Sequence, residues 1–218
     1  MLQGPFHLPL AIDVTAAFLF SVTGALAAVR KRYDLVGILV LALSTGLGGA
    51  LLRDGVFLQA PVAFLADGRY LMAVLAGAIV GAFFARHLQR VRLALVVVDA
   101  LALGAYGVVG AQKSHAAGLP LISAALVGTV NAVGGGVLRD VLVREEPLIF
   151  KPGEFYALAA LAGCVLFMGL AATGVGEEVA ALAGIAIAFS VRLLSIRLGW
   201  RTGAFASDEP GASPDTTP

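Results

Sequence analysis

The sequence predicts an all-α membrane protein with seven transmembrane helices, built as an inverted three-plus-three repeat with one extra helix. Three observations predict it. The first is composition: the chain is 59% hydrophobic and 13% charged, with a mean hydropathy of +0.93. A soluble domain is about half apolar and a quarter charged. Long runs nearly free of charge recur, and about 20 apolar residues span the hydrocarbon core of a bilayer. A soluble helix would need a polar face, which these runs lack. The second is an internal repeat. Gly48-Gly49-Ala50-Leu51-Leu52-Arg53-Asp54 returns as Gly134-Gly135-Gly136-Val137-Leu138-Arg139-Asp140, displaced by 86 residues (134 − 48 = 86). The same ungapped offset sets Asp13 on Asp99, Gly24 on Gly110, Pro61 on Pro147, Phe64 on Phe150, Tyr70 on Tyr156 and Gly77 on Gly163. The third is the placement of basic residues, which fall almost wholly between alternate segments.

In order, the first helix covers 10–29 and stops at Arg30-Lys31-Arg32. The second, 35–58, stops ahead of Pro61, and the third, 69–87, opens after Asp67-Gly68. The fourth, 93–112, is separated by Gly118 and Pro120 from the fifth, 120–143, which ends ahead of Pro147. The sixth, 155–174, follows Pro152-Gly153 and closes at Gly174 to Gly176. The seventh covers 178–198. Beyond Trp200 the chain turns to Gly, Ala, Ser, Asp, Pro and Thr, so 203–218 reads as a disordered cytoplasmic tail. The repeats are 10–92 and 93–174. Helix 178–198 has no counterpart and serves as packing or as an oligomer contact. Abundant Gly and Ala suit close helix packing in lipid.

Orientation follows from charge. Arg30, Lys31, Arg32, Arg86, Arg90, Arg92, Arg144, Lys151, Arg197 and Arg201 follow the odd-numbered helices, while only Arg69 and Lys113 lie on the other side. The positive-inside rule then places the N-terminus outside and the C-terminus in the cytoplasm of a multi-pass protein of the inner (plasma) membrane. Three helices per repeat is an odd number. The second copy must therefore start on the opposite side, and the repeats are inverted about an axis in the membrane plane.

Several chemistries are excluded. A net charge of +1 with scattered basic residues gives no nucleic-acid face. Cys164 is a lone cysteine in an apolar run, and His7, His87 and His115 lie far apart, so no metal set is expected. There is no Lys or Arg ahead of the first apolar run, hence no sign of a cleavable signal peptide. Walker, HExxH and GxSxG patterns with their partners are missing, so no enzyme is expected.

Two sets of residues carry the functional expectation. Gly48, Gly49, Gly134, Gly135 and Gly136 fall near the midplane, where glycine permits bends. Interrupted helices at matching places of inverted repeats point to a transport site. Close helix crossing is the other use of such glycines. Ser44, Thr45, Thr129 and Asn131 lie within a turn or two and can supply oxygens, although hydroxyls in apolar helices often bond to their own backbone. The second set is charged: Asp13, Arg53, Asp54, Asp99, Arg139 and Asp140. Ionisable groups within a membrane mark ion pathways. Asp13 is expected to neutralise Arg53 at the outer mouth, and Asp99 to neutralise Arg139 at the inner mouth. With about 100° between successive residues on a helix, Arg53 and Asp54 are not expected to point the same way. Lys113 and His115 are expected to be solvated on an outer loop, and Arg192 and Arg197 to snorkel.

These residues resemble the prokaryotic trimeric intracellular cation (TRIC) channel family, also known as an uncharacterised, later glycine-transporter, membrane domain. The resemblance covers roughly 10–198, and the twin Gly-rich/Arg-Asp motifs carry it. It implies a homotrimer with a pore in each subunit, passive conduction of K⁺ with some Na⁺, and glycine bends of the second and fifth helices beside that pore. Ala50 stands where the second copy has Gly136, a mild departure from a triple glycine. No resident cofactor is expected beyond the permeant ions, with bound lipid left open. The alternative expectation is a secondary transporter of a small zwitterion such as glycine, with Arg53 or Arg139 on its carboxylate and an Asp on its ammonium.

Overall fold

The structure, a computed structural model, describes residues 10–85, 88–150 and 155–200, and the side chains of 88–95 stand outside the description. Arg86, His7, His87, Lys151, Pro152-Gly153, Arg201 and the 203–218 segment lie outside the described residues, as do the side chains of Arg90 and Arg92. The described chain is helical throughout, without a strand. Its elements are α1 (Leu10–Arg30), α2 (Leu35–Leu51) continuing into a π-helical segment (Leu52–Phe57), a short α3 (Ala63–Ala66), α4 (Gly68–Phe84), α5 (Leu88–Ala116), α6 (Leu121–Leu142), α7 (Tyr156–Ala172) and α8 (Glu177–Leu198).

Local chemistry sets these ends. Asp34 caps α2 by accepting the Gly37 N–H at 2.8 Å, and Asp67 caps α4 by accepting the Arg69 N–H at 2.9 Å; both use the side-chain oxygen that an N-cap supplies. Gly199, left-handed at φ 63°, closes α8. Three expectations need correction. The helix α3 was not foreseen, because four residues between Pro61 and Asp67 carry no readable period. The fourth helix begins at Leu88 and runs on to Ala116, so Lys113 is helical rather than on a loop. The end of the second helix is π-helical, with the Leu58 N–H donating to the Arg53 carbonyl at 2.9 Å, five residues back.

Five segments are long and apolar enough to cross a membrane: Leu10–Arg30, Leu35–Phe57, Val96–Ala116, Leu121–Leu142 and Glu177–Leu198. α4 and α7, also apolar, have 17 residues each, at the lower limit of a spanning helix. α1 packs on α2 and α4, α5 packs in the corresponding way on α6 and α7, and α8 covers α5 and α7. α2 and α6 meet across the middle of the molecule.

The α2–α6 crossing is built from glycine. A Cβ on Gly49 would collide with the Asn131 carbonyl oxygen, and one on Gly135 would collide with the Thr45 carbonyl oxygen. A Cβ on Gly134 would lie 3.3 Å from Gly49 Cα, and one on Gly48 would lie 3.5 Å from Gly135 Cα. Under the 86-residue offset these contacts exchange, Gly49 with Gly135 and Thr45 with Asn131 (131 − 45 = 86). Both helices stay α-helical through their glycines. The anticipated interruption there is therefore not a break in the ladder: the glycines serve close approach, and the irregular turn comes after them.

Candidate functional site

At one end of α1, the Asp13 carboxylate is 2% exposed. Its Oδ2 accepts two hydrogen bonds of 2.6 Å, from the Tyr70 hydroxyl on α4 and the Lys113 ammonium on α5. Arg53 is wholly buried. Its Nε donates to Asp54 Oδ1 at 2.6 Å and its Nη2 to Asp54 Oδ2 at 3.0 Å. Its Nη1 reaches Asn131 Oδ1 on α6 at 3.3 Å. Asp54 Oδ2 also accepts the Ala63 N–H at 3.0 Å, tying the start of α3 to this cluster.

The second cluster repeats the motif with different surroundings. Arg139 Nε and Nη2 both lie 2.9 Å from Asp140 Oδ1, and Nη1 donates to Thr23 Oγ1 on α1 at 3.3 Å. Asp140 is buried and Asp99 partly buried. Asp99, Arg139, Asp140 and Arg192 line a cavity of about 310 Å³, together with Thr23, Ala27, Arg30, Glu145 and Glu146. Among the described residues, Asp99 makes neither an ion pair nor a hydrogen bond. Arg192 is 5% exposed, and its guanidinium sits 4.9 Å from the centre of the Tyr156 ring.

The expected pairs Asp13–Arg53 and Asp99–Arg139 are thus replaced. Each arginine is neutralised by the aspartate next to it in sequence, against the expectation from the angle between successive residues. That angle separates Cβ atoms, but an arginine is long enough to turn its planar fork back along the helix onto a neighbouring carboxylate. Asp13 is instead taken by Lys113, which the longer α5 carries to the first turn of α1. Lys113 is accordingly not a solvated loop residue, and buried Arg192 does not snorkel; Arg197 is exposed.

Of the candidate oxygens, Thr45 donates to its own Leu41 carbonyl at 2.6 Å and Thr129 to Ala125 at 2.9 Å. Ser44 is partly buried. Asn131 alone of the four reaches a charged group, and its Nδ2 also donates to the Tyr106 carbonyl at 2.6 Å. The Tyr106 hydroxyl in turn donates to the Gly46 carbonyl at 2.6 Å. A polar chain therefore runs Asp54–Arg53–Asn131 to the Tyr106 carbonyl, and the Tyr106 hydroxyl makes a separate tie to α2 at Gly46. Tyr70, Tyr106, Lys113 and Arg192 were missed as site residues. The repeat offset marked the Tyr70/Tyr156 pair, but nothing local marked Lys113, whose counterpart is Ala27, or Arg192, which lies on α8 outside the repeats.

A family model described as "Glycine transporter" matches residues 10–86 and again 96–172. A UPF0126 inner membrane protein of Escherichia coli strain K12 is 31% identical over 202 residues, 92% of this chain and 97% of the relative. The chain belongs to this family of UPF0126 membrane proteins. A relative from Streptomyces coelicolor is 41% identical over 191 residues, 87% of each chain. Among solved structures, the TRIC trimeric intracellular cation channel orthologue from Rhodobacter sphaeroides is similar at TM-score 0.81 and 36% identity, over 87% of this chain and 97% of that one. A structure described for conductance through TRIC cation channels is similar at TM-score 0.84 and 31% identity, over 93% and 99%. The resemblance read from the twin motifs is borne out, and these neighbours are channels rather than enzymes.

Proposed function

We propose that this UPF0126 protein is a monovalent-cation channel, permeable to K⁺, with a pore in each subunit of a homotrimer. Its path runs between α1, α2, α5 and α6. Residues 10–92 and 93–174 form inverted repeats, crossing the inner (plasma) membrane with the N-terminus outside and the C-terminus inside. The observation that carries this reading is the likeness to TRIC cation channels over nearly the whole chain. The geometry supports it at one decisive point. An uncompensated arginine on a narrow path repels cations, and here each motif arginine carries its own carboxylate. The glycines of α2 and α6 are taken up by their own close crossing, so the path lies beside that crossing, and the charged clusters at the two mouths bias entry.

The description of the matching family supports a second reading, a secondary transporter of a small zwitterion such as glycine. One experiment separates the two: K⁺ flux into proteoliposomes holding the purified chain, with and without a large excess of glycine. Fast, non-saturating flux indifferent to glycine is the expected result. Silence towards K⁺ with saturable glycine uptake would replace the channel by the transporter.

A further inference from the structure

The two clusters differ in one residue, and the difference falls where the cavity is. In the first, the Asp13 carboxylate accepts the Tyr70 hydroxyl and the Lys113 ammonium on the same oxygen. The offset carries Asp13 to Asp99 and Tyr70 to Tyr156. It carries Lys113 back to Ala27 (113 − 86 = 27), on α1. Ala27 and Asp99 line the same cavity of about 310 Å³. The first copy thus fills its carboxylate with a tethered ammonium, whereas the second has a methyl side chain and open space.

The groups left behind in the second copy agree with this. Asp99 has no ion pair or hydrogen bond among the described residues. The Tyr156 hydroxyl, on a residue 4% exposed, likewise has no hydrogen-bond partner among the described residues. An unsatisfied buried hydroxyl is uncommon and calls for a partner. On its walls Glu145 is taken by Arg30 and Lys31 and Asp140 by Arg139, which leaves Asp99 and the exposed Glu146 as the lining carboxylates without an ion pair among the described residues.

We infer that the cavity at Asp99 is a binding site for a small primary ammonium group, the counterpart in the second repeat of the Lys113 site. An ammonium has three N–H donors and no acceptor, which suits the Asp99 carboxylate on the cavity wall. The group can come from a monocationic amine or from the amino end of a zwitterion. Asp99 also belongs to the inner mouth cluster of the channel reading, but the site is defined by binding and is read by binding.

The test is calorimetric titration of the purified full chain in detergent at neutral pH and fixed ionic strength, with methylammonium, glycine and K⁺ as probes. Methylammonium should bind once per chain, and Asp99→Asn should weaken it about tenfold or more, the range for a lost hydrogen bond to a charged group. Ala27→Lys supplies the missing tether and should abolish binding while the chain stays folded. Lys113→Met empties the first site and should raise the stoichiometry to two. Glycine binding with equal dependence on Asp99 identifies the zwitterion as an acceptable source. Three results would overturn the inference: no methylammonium binding, binding indifferent to both Asp99→Asn and Ala27→Lys, or displacement by K⁺ at equal concentration. Should Asp99→Asn fail to fold, Ala27→Lys and Lys113→Met still decide. Flux is not the readout, so failure here and failure of the channel reading are separate results.

Discussion

Phe20 and Tyr106 meet edge to face, with ring centroids 5.2 Å apart and planes at 85°, and they are counterparts under the repeat offset (106 − 20 = 86). A residue touching its own counterpart marks the place where the two halves of the chain meet. The glycine crossing of α2 and α6 shares this property. At these contacts the interface between the halves is built as in a two-fold dimer, Gly49 on Asn131 answered by Gly135 on Thr45.

That geometry predicts a paired effect. Gly49→Ala and Gly135→Ala should each destabilise the protein by about 1–3 kcal/mol, the usual cost of overpacking, because each new methyl meets a main-chain oxygen that cannot turn aside. Gly169→Ala, in α7 with nothing within 4 Å of the added methyl, should be neutral or gain up to about 1 kcal/mol from helix propensity. Unfolding midpoints in mixed micelles check both. Equal tolerance at all three positions would contradict the crossing.

Arg53 is buried with its carboxylate, so removing one partner strands the other. Arg53→Met should cost about 3–5 kcal/mol, the penalty for an uncompensated buried charge. Adding Asp54→Asn should recover much of that loss, leaving the Ala63 N–H still able to find the amide oxygen. A double variant no more stable than Arg53→Met would show that Arg53 is held chiefly by Asn131.

Lys113 neutralises Asp13 beside the Tyr70 hydroxyl. Under the channel reading, Lys113→Met leaves a bare carboxylate and should raise K⁺ flux by about tenfold at low salt and less at high salt, as local enrichment of counter-ions does. Asp13→Asn should lower it. Unchanged conductance, selectivity and gating in Asp13→Asn and Asp99→Asn would remove the mouth clusters from the mechanism.

Hydrogen bonds from the Arg69 side chain, and then from its backbone N–H, hold the Asp67 carboxyl below its ordinary range. A depressed folded value means that the contribution is complete above the ordinary carboxylate pKa of about 4. It is lost as pH falls through the lower folded value. The pair is exposed at the head of α4, so the effect on stability is small and weakened by salt. Carboxyl-carbon NMR titration should show Asp67 titrating below its value in Arg69→Gln.

Much of the fold was legible in the sequence because lipid imposes a simple code: apolar runs, breakers between them, and small residues where helices touch. The doubled Gly-rich/Arg-Asp motif was legible as well, since identical residues at a fixed offset need no structure to find. What the sequence did not show was which charge neutralises which. Arg53 could reach Asp13 or Asp54, and the choice depends on side-chain reach and on Lys113, whose place was hidden by reading α5 four residues short at its end (116 − 112 = 4). The short α3 and the π-helical turn were equally hidden: four residues carry no readable period, and the Asp54 carboxylate that accepts the Ala63 N–H is not visible as a partner in the sequence.

The main-chain contact between α2 and α6 has a consequence for temperature. Burial driven by water weakens on cooling, because apolar hydration is entropic near room temperature. Helices already surrounded by hydrocarbon gain nothing from that source and adhere by dispersion and hydrogen bonding. A joint of Gly48, Gly49, Gly134 and Gly135 against bare backbone therefore keeps its strength in the cold, and it is the lipid around it, rather than the joint, that sets how the protein answers a falling temperature.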